Sequence, residues 1–353
     1  MLEVKPRKVP NRIGIIRLSS LGDIVLISPI IRCLYQQLEQ PEILLLTHKD
    51  MVPLFEHNPY LHKVIAYDPA APGKSAADFL GSMLDLIVDL QKNLRSSFLK
   101  LGSGLPVLSF SKQNVLKWEM VNLKNGGRCR HVVLRMLDGL NALGISDDGL
   151  GVELHLPFEE ISEESWRKQH QGEYIAIGIG SAHATKALSV EFLSKFLAMQ
   201  SLPCVLLGGA NDREKGEILC AQFPGRVVSL CGQTDLLTTA NWVRDSKHVV
   251  SGDSLIMHLA ACFSKSLDVV WTNTKPEFGM EPFYGTAQPF KARYHQVSGL
   301  GCRPCTKTGF STCPKGHFNC MNRISAWIVQ PETLSTFNEP VTFSKLVPSK
   351  PSL

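Results

Sequence analysis

Short apolar runs alternate with helix-periodic stretches along the whole chain, and this alternation limits its possible folds more than any other feature. Ile13–Leu18, Ile43–Thr47, Lys63–Tyr67, Leu86–Leu90 and Pro106–Phe110 read as strands in the first half. Tyr174–Ile179, Cys204–Gly208, Val227–Leu230, Lys247–Val250 and Leu267–Trp271 read as strands in the second. Between them lie helical segments such as Ile30–Leu38, Val190–Gln200, Arg213–Phe223 and Asp235–Asp245. Continuous apolar strands spaced by helices belong to parallel sheets covered on both faces. Ten of them predict two doubly wound α/β sheets rather than one. The acidic, turn-rich stretch Pro157-Phe-Glu-Glu-Ile-Ser-Glu-Glu places a seam near residues 154–171. Residues 1–165 and 166–330 are therefore expected as two Rossmann-like domains, with a Pro-, Ser- and Thr-rich tail at 331–353. Facing halves of this kind leave a cleft in which two substrates can meet.

Composition narrows the class. With 353 residues, 44% hydrophobic and 20% charged, the chain can bury a substantial core as an ordinary globular protein. No apolar stretch reaches the roughly 18 residues that span a bilayer. The start, Met1-Leu-Glu-Val-Lys-Pro-Arg-Lys, lacks the apolar core of a secretory signal, so a cytoplasmic location is expected. The net charge of +5 is uneven: 18 Lys/Arg face 19 Asp/Glu in residues 1–165, against 19 and 13 from residue 166 onward. That balance predicts a phosphate-bearing ligand or a polar membrane surface on the second half. No Lys/Arg run resembles a nucleic-acid stripe, so nucleic acid is not an expected partner.

Four strand ends carry the polar residues that chemistry needs. Ile13-Gly-Ile-Ile-Arg-Leu-Ser-Ser-Leu-Gly-Asp23 is a strand that stops at Ser19 and Ser20, turns at Gly22 and delivers a carboxylate. Ligands of open α/β sheets bind beyond the carboxyl ends of the strands. Asp23 there fits two roles, a helix cap or a base that takes a proton from a bound hydroxyl. In Val249-Val-Ser-Gly-Asp253-Ser254-Leu-Ile-Met-His258 a strand gives way to a helix whose first N–H groups favour a phosphate. A capped helix start, with His258 packed inward, fits the same residues. Gly180-Ser181-Ala-His-Ala-Thr-Lys186 offers open backbone and a compact cation for a diphosphate, or simply a solvated loop lysine. Gln91, Asn93 and Arg95 end a fourth strand, as cleft lining or as caps.

Together these segments resemble the ADP-heptose:lipopolysaccharide heptosyltransferases, glycosyltransferase family 9. The resemblance rests on Ser19-Ser20-Leu21-Gly22-Asp23, on Asp85-Leu-Ile-Val-Asp-Leu-Gln-Lys-Asn-Leu-Arg-Ser96 and on Asp253-Ser-Leu-Ile-Met-His-Leu-Ala-Ala261, and it covers roughly residues 12–330. It implies a GT-B fold, with an N-terminal acceptor-binding domain and a C-terminal domain for the nucleotide sugar. It also implies inverting, metal-independent transfer of heptose from ADP-heptose to the lipopolysaccharide inner core, at the inner membrane face and on a lipid-linked saccharide acceptor. By that analogy Asp23 is the general base and Lys186 holds the diphosphate. Ser20, Gly22, Gly180, Ser181, Asp253, Ser254 and His258 would surround the substrates.

Three departures from the family fall on the donor side. Ala187-Leu188-Ser189 stands where the family usually has Arg-Trp-Pro, Leu255 replaces a glycine, and Thr272-Asn273-Thr274 stands where Gly-Pro-Thr is expected. They motivate one rival function, a donor-impaired relative acting as a non-catalytic envelope-assembly protein. A nucleotide-sugar epimerase on the same fold is another.

Six of the ten cysteines are scattered, mostly in apolar stretches, and the other four lie in the loop 300–323. Cys302, Cys305, Cys313 and Cys320 have the spacing C-x2-C-x7-C-x6-C, with His317 nearby, and heptosyltransferase II-like members carry a similar stretch. Four thiolates so spaced can close on a structural zinc. A disulfide or free buried thiols are the other readings, with metal preferred over disulfide in a reducing cytosol.

Overall fold

The computed structural model describes residues 9–157, 173–289 and 291–324. The expected tail at 331–353 and most of the expected seam lie outside them. Arg12–Arg17 (β1), Glu42–His48 (β2), Lys63–Tyr67 (β3), Leu86–Asp89 (β4) and Val107–Ser109 (β5) form an all-parallel sheet in the order β3-β2-β1-β4-β5. Ile175–Gly178 (β6), Cys204–Leu207 (β7), Val227–Ser229 (β8), His248–Gly252 (β9), Leu267–Trp271 (β10) and Ala292–Gln296 (β11) form a second, in the order β11-β10-β9-β6-β7-β8. All ten expected strands are present, within two residues of their expected ends.

The strand that sequence reasoning missed is β11. Its residues Ala-Arg-Tyr-His-Gln contain no apolar run, because it is an edge strand paired only with β10. What fastens it is polar. Asp268 of β10, fully buried, accepts hydrogen bonds from His248 Nε2 (2.7 Å), His295 Nε2 (2.6 Å) and Arg293 Nη2 (2.7 Å). Two of those donors are on β11.

The helices are Ser28–Gln37 (α1), Pro72–Leu80 (α2), Leu94–Leu99 (α3), Asn114–Asn122 (α4) and Val132–Asp138 (α5) in the first half. The second half has Val190–Ala198 (α6), Arg213–Gln222 (α7), Leu236–Asp245 (α8), Leu255–Cys262 (α9) and Asn319–Asn322 (α10). A 3-10 turn, Leu21–Ile27, joins β1 to α1, and its last four residues, Ile24 to Ile27, have no exposed surface. These four belong to one apolar core that runs from Ile13 and Ile15 of β1 to Ala176, Val249, Met257 and Leu259 of the second half. Complete burial of such side chains contributes about 1.5–3 kcal/mol each. Arg32 on α1 grips the segment that leaves the first sheet: Nε and Nη2 bond both oxygens of Asp148 at 2.6 and 2.9 Å, and Nη1 meets Glu153 at 2.8 Å. Among the described residues no helix is long and apolar enough to cross a membrane.

Asp268 makes this arrangement acid-sensitive. Burial pushes its carboxyl up, but the bonds from His248, His295 and Arg293 outweigh it and hold the group well below the usual carboxylate range. A depressed carboxyl stabilises the fold above its unfolded value of about 3.9 and loses that contribution as pH falls toward the folded value. Urea melts from pH 7 to pH 3 should show a falling midpoint, and Asp268→Asn should flatten that acid limb. At pH 7 the same variant should cost about 3–5 kcal/mol, as expected when one partner of a buried pair is removed.

Candidate functional site

Both sheets reverse direction next to their first strand. In the first sheet β2 and β3 lie on one side of β1 and β4 lies on the other; in the second, β7 and β8 flank β6 on one side and β9 on the other. The crevice beyond the carboxyl ends at such a reversal is where α/β sheets take ligands. The loops at these two points are Leu18–Asp23 with Gln91, and Gly180–Lys186 with Asp253. All of them line one cleft between the sheets.

On the first side, Gln91 shapes the serine loop. Its Oε1 accepts from the Leu18 and Ser19 N–H groups, both at 3.0 Å, and its Nε2 donates to Ser19 Oγ at 2.8 Å. Asp23 Oδ2 accepts from Ser20 Oγ at 2.8 Å and stands 3.4 Å from Arg17 Nη2. The carboxylate keeps 29% of its surface open to the cleft. It is held by side chains, and α1 starts five residues later, so the helix-cap reading does not describe it. Asn93, by contrast, is a cap: it exchanges bonds with Ser96 at the start of α3. Arg95 is exposed and is not part of the cleft lining.

On the second side, Asp253 joins three segments. Its Oδ2 pairs with Lys186 Nζ at 2.6 Å and accepts from Thr274 Oγ1 at 2.9 Å. Ser254 begins α9 without capping it; its Oγ lies 2.9 Å from Ser251 Oγ instead, which leaves the first-turn N–H groups free of a side-chain cap. One turn on, His258 is buried and its Nδ1 has no partner. Burial lowers its pKa against the opposing pull of Asp23 and Asp253, so the imidazole is neutral. Gly180 is a glycine for a steric reason: a Cβ there would fall 1.9 Å from Asp212 Oδ2. Ser181 Oγ accepts from the His183 N–H at 3.5 Å. Gly22 faces α9 directly, with the site of an added Cβ 3.7 Å from Leu255 N. The cleft thus gathers Ser20, Gly22, Asp23, Gly180, Ser181, Lys186, Asp253, Ser254 and His258.

Sequence reasoning missed most of the cleft's charge. Seven cations line it (Arg17, Lys112, Lys117, Arg135, Lys186, Lys275 and Lys307) against three acids, Asp23, Asp212 and Asp253. Four of the seven come from the first half, so the cleft's positive charge is shared by both halves rather than confined to the second. Arg17 and Arg135 are buried, and each keeps one guanidinium nitrogen, Nε and Nη2 respectively, without a partner. Their embedding in apolar runs, Ile-Ile-Arg17-Leu and Val-Leu-Arg135-Met-Leu, was a usable signal, because burial penalises an unpaired charge. Lys112 and Lys117 carried no such mark. Burial pushes the Lys117 ammonium down to about 8.

The cysteine loop does not meet the zinc expectation. Among the described residues no group of three or more His, Cys, Asp or Glu is placed to hold a metal ion, and all four thiols are free. Cys305 Sγ donates to its neighbour's carbonyl, Cys302 O, at 3.1 Å. Burial, and then the neighbouring thiols of Cys305 and Cys313, push the Cys320 thiol up to about 11. The loop is fastened by other means. Buried Arg303 donates through Nε to Thr272 O (2.5 Å) and through Nη2 to Thr274 O (2.6 Å), and Phe310 N bonds Thr185 Oγ1 at 2.8 Å. It therefore buttresses the turn that carries Lys186. The family departures also have local reasons: Ser189 caps α6 through Phe192 N, Leu188 is core, and Thr272 Oγ1 bonds Thr185 O at 2.6 Å.

Comparison with known proteins fits this geometry. Lipooligosaccharide heptosyltransferase 2 of Haemophilus influenzae is 29% identical over 90 residues, a stretch of 24% of this chain and 26% of that protein. The chain thus matches about a quarter of the length of that curated relative. Escherichia coli ADP-heptose lipopolysaccharide heptosyltransferase II superposes with a TM-score of 0.63 at 18% identity, covering 88% of this chain and 98% of that one. Escherichia coli heptosyltransferase WaaC with ADP gives 0.61 at 18%, over 80% and 93%. At that identity the likeness is one of fold, the two-sheet GT-B arrangement. The model of glycosyltransferase family 9 (heptosyltransferase) matches residues 77–315, more than half of the sequence, and the chain belongs to that family.

Proposed function

We propose that the protein transfers a heptose from ADP-heptose to the inner core of a lipopolysaccharide precursor, with inversion at the anomeric carbon and without a catalytic metal. The observation that carries this reading is Asp23: a partly open carboxylate of the first sheet's switch point, facing the start of α9 on the second. The first half, residues 1–165, is assigned to the acceptor and residues 166–330 to the donor. Work is expected at the cytoplasmic face of the inner membrane, where the acceptor's lipid resides.

Asp23 takes the proton of the acceptor hydroxyl, and the oxygen attacks the anomeric carbon from the face opposite the diphosphate. The bond from that carbon to the β-phosphate oxygen breaks, and the leaving ADP carries away the electron pair. Lys186 and the uncapped N–H groups of α9 meet the developing negative charge. Asp253 and Thr274 aim Lys186, and the neutral His258 lines the same wall. The excess of cations near Asp23 suits an acceptor that bears carboxylates or phosphates. The donor-impaired alternative draws on one observation, that Asp253 already neutralises Lys186.

Asp23→Ala should lower kcat by about 10²–10⁴ while ADP binding, measured by calorimetry, stays unchanged. Retained turnover would sink the assignment, and failure of ADP or ADP-heptose to raise the melting temperature of the native chain would favour the donor-impaired reading. Lys117 generates a pH prediction. A lysine pushed down to about 8 is charged below that pH and neutral above it. KM for an anionic acceptor should therefore rise several-fold between pH 7 and pH 9, and Lys117→Arg, charged throughout, should remove the rise.

A further inference from the structure

One short stretch carries both the charge imbalance of the chain and much of its exposed apolar surface. Residues 92–124 contain six cations and one acid, Glu119, whereas the other 320 residues hold 31 of each sign. Seven of the fourteen large hydrophobic residues exposed among the described residues fall in the same stretch. On α3 and just beyond it, Leu94, Phe98 and Leu101 recur at helical spacing and are 78%, 72% and 75% exposed. They lie opposite Ser96 and Leu99, which are buried. On α4, Val115 and Trp118 are three residues apart and 73% and 58% exposed, while Met120 of the same helix is core.

Soluble proteins seldom leave so many large apolar side chains in water unless something covers them. Two exposed cations beside the stripe select the covering partner, whereas Lys100 is paired with buried Asp89 and Lys112 and Lys117 line the cleft. Arg95 lies within the α3 stripe and Lys92 just ahead of it. Position relative to the site also matters. A groove lined by Lys92, Ser111, Lys112, Asn114 and Val115 runs beside α4 and shares Lys112 and Asn114 with the cleft that holds Asp23. A molecule with its saccharide at Asp23 can therefore leave through this groove toward the α3–α4 face.

We infer that the α3–α4 face docks on a lipid bilayer bearing anionic headgroups, with Leu94, Phe98 and Trp118 entering the interface and Lys92 and Arg95 meeting the headgroups. The inference rests on the reading of the acceptor as lipid-linked, and it names the surface that presents that lipid to Asp23.

The full chain should sediment with vesicles of phosphatidylcholine and phosphatidylglycerol, weakly with phosphatidylcholine alone, and less as salt is raised. Brominated acyl chains should quench part of its tryptophan emission, and Trp118→Phe should abolish that part. Leu94→Ser with Phe98→Ser should weaken vesicle binding about tenfold, with the melting temperature and transfer to a delipidated, water-soluble acceptor unchanged. Equal vesicle binding by this variant, or no binding to anionic vesicles by the native chain, overturns the inference. So does a native dimer that the variant converts to monomer, or a nucleic acid that competes the vesicles off. The function is tested apart from this: transfer to the soluble acceptor without vesicle binding sinks only the docking face, and vesicle binding without transfer sinks only the activity.

Discussion

The site depends on the burial of four aliphatic residues, Ile24 to Ile27, immediately after the acid. They have no exposed surface and lie in a core shared by both sheets, next to Met257 and Leu259 of α9. A loop that must offer a carboxylate to solvent would otherwise be free to move, and a mobile base is a poor one. Here the apolar turn seats the loop against the opposite half, and Gly22 comes within van der Waals reach of Leu255 N. The same burial that stabilises the two halves against each other therefore fixes Asp23 in the gap between them. Removing the apolar run would separate the carboxylate from the helix start it faces.

Much of the fold could be read from the chain because parallel strands buried on both faces leave continuous apolar runs, and ten such runs stand in the sequence. β11 could not be read that way. It is an edge strand secured by Arg293 and His295 on Asp268, and a polar attachment leaves no hydrophobic pattern. The motif residues were visible as polar ends of apolar runs. Their convergence was not, since it depends on strand order: β4 must return beside β1, and β9 beside β6, before four loops distant in sequence share a cleft. Lys112 and Lys117 show the same limit from another direction. Lys112 precedes α4 and Lys117 lies on it, and a lysine facing a cleft looks like any solvated lysine until that helix is placed.

The cysteine loop shows where spacing misleads. Four thiols at metal-like intervals suggested a staple, and the loop is indeed fastened, but by Arg303 and backbone bonds to Thr185, Thr272 and Thr274. A guanidinium that donates to two carbonyls at once ties the loop to the Thr272–Thr274 turn. Sequence alone offers no mark for such an arginine, because its partners are main-chain oxygens.

That fastening gives the donor-side departures a common physical account. Thr272 and Asn273 stand where the family has Gly-Pro, and the Thr272 hydroxyl bonds Thr185 O, while Thr274, which matches the family's Thr, bonds Asp253. Asp253 in turn orients Lys186, and the Arg303 loop presses on the same carbonyls from behind. A rigid glycine–proline turn and the Thr272 hydroxyl bond are different ways to hold one geometry, the cation beside the uncapped start of α9. What the proposed transfer would need at that spot is positive potential aimed at a departing phosphate. The Lys186–Asp253 pair stores it in a form that an arriving diphosphate can compete for: the diphosphate brings more than one negative charge to the ammonium, whereas Asp253 brings one and remains tied to Thr274. On the proposed function, exchange of partners at Lys186, rather than the presence of any one motif residue, is the step on which donor capture would turn.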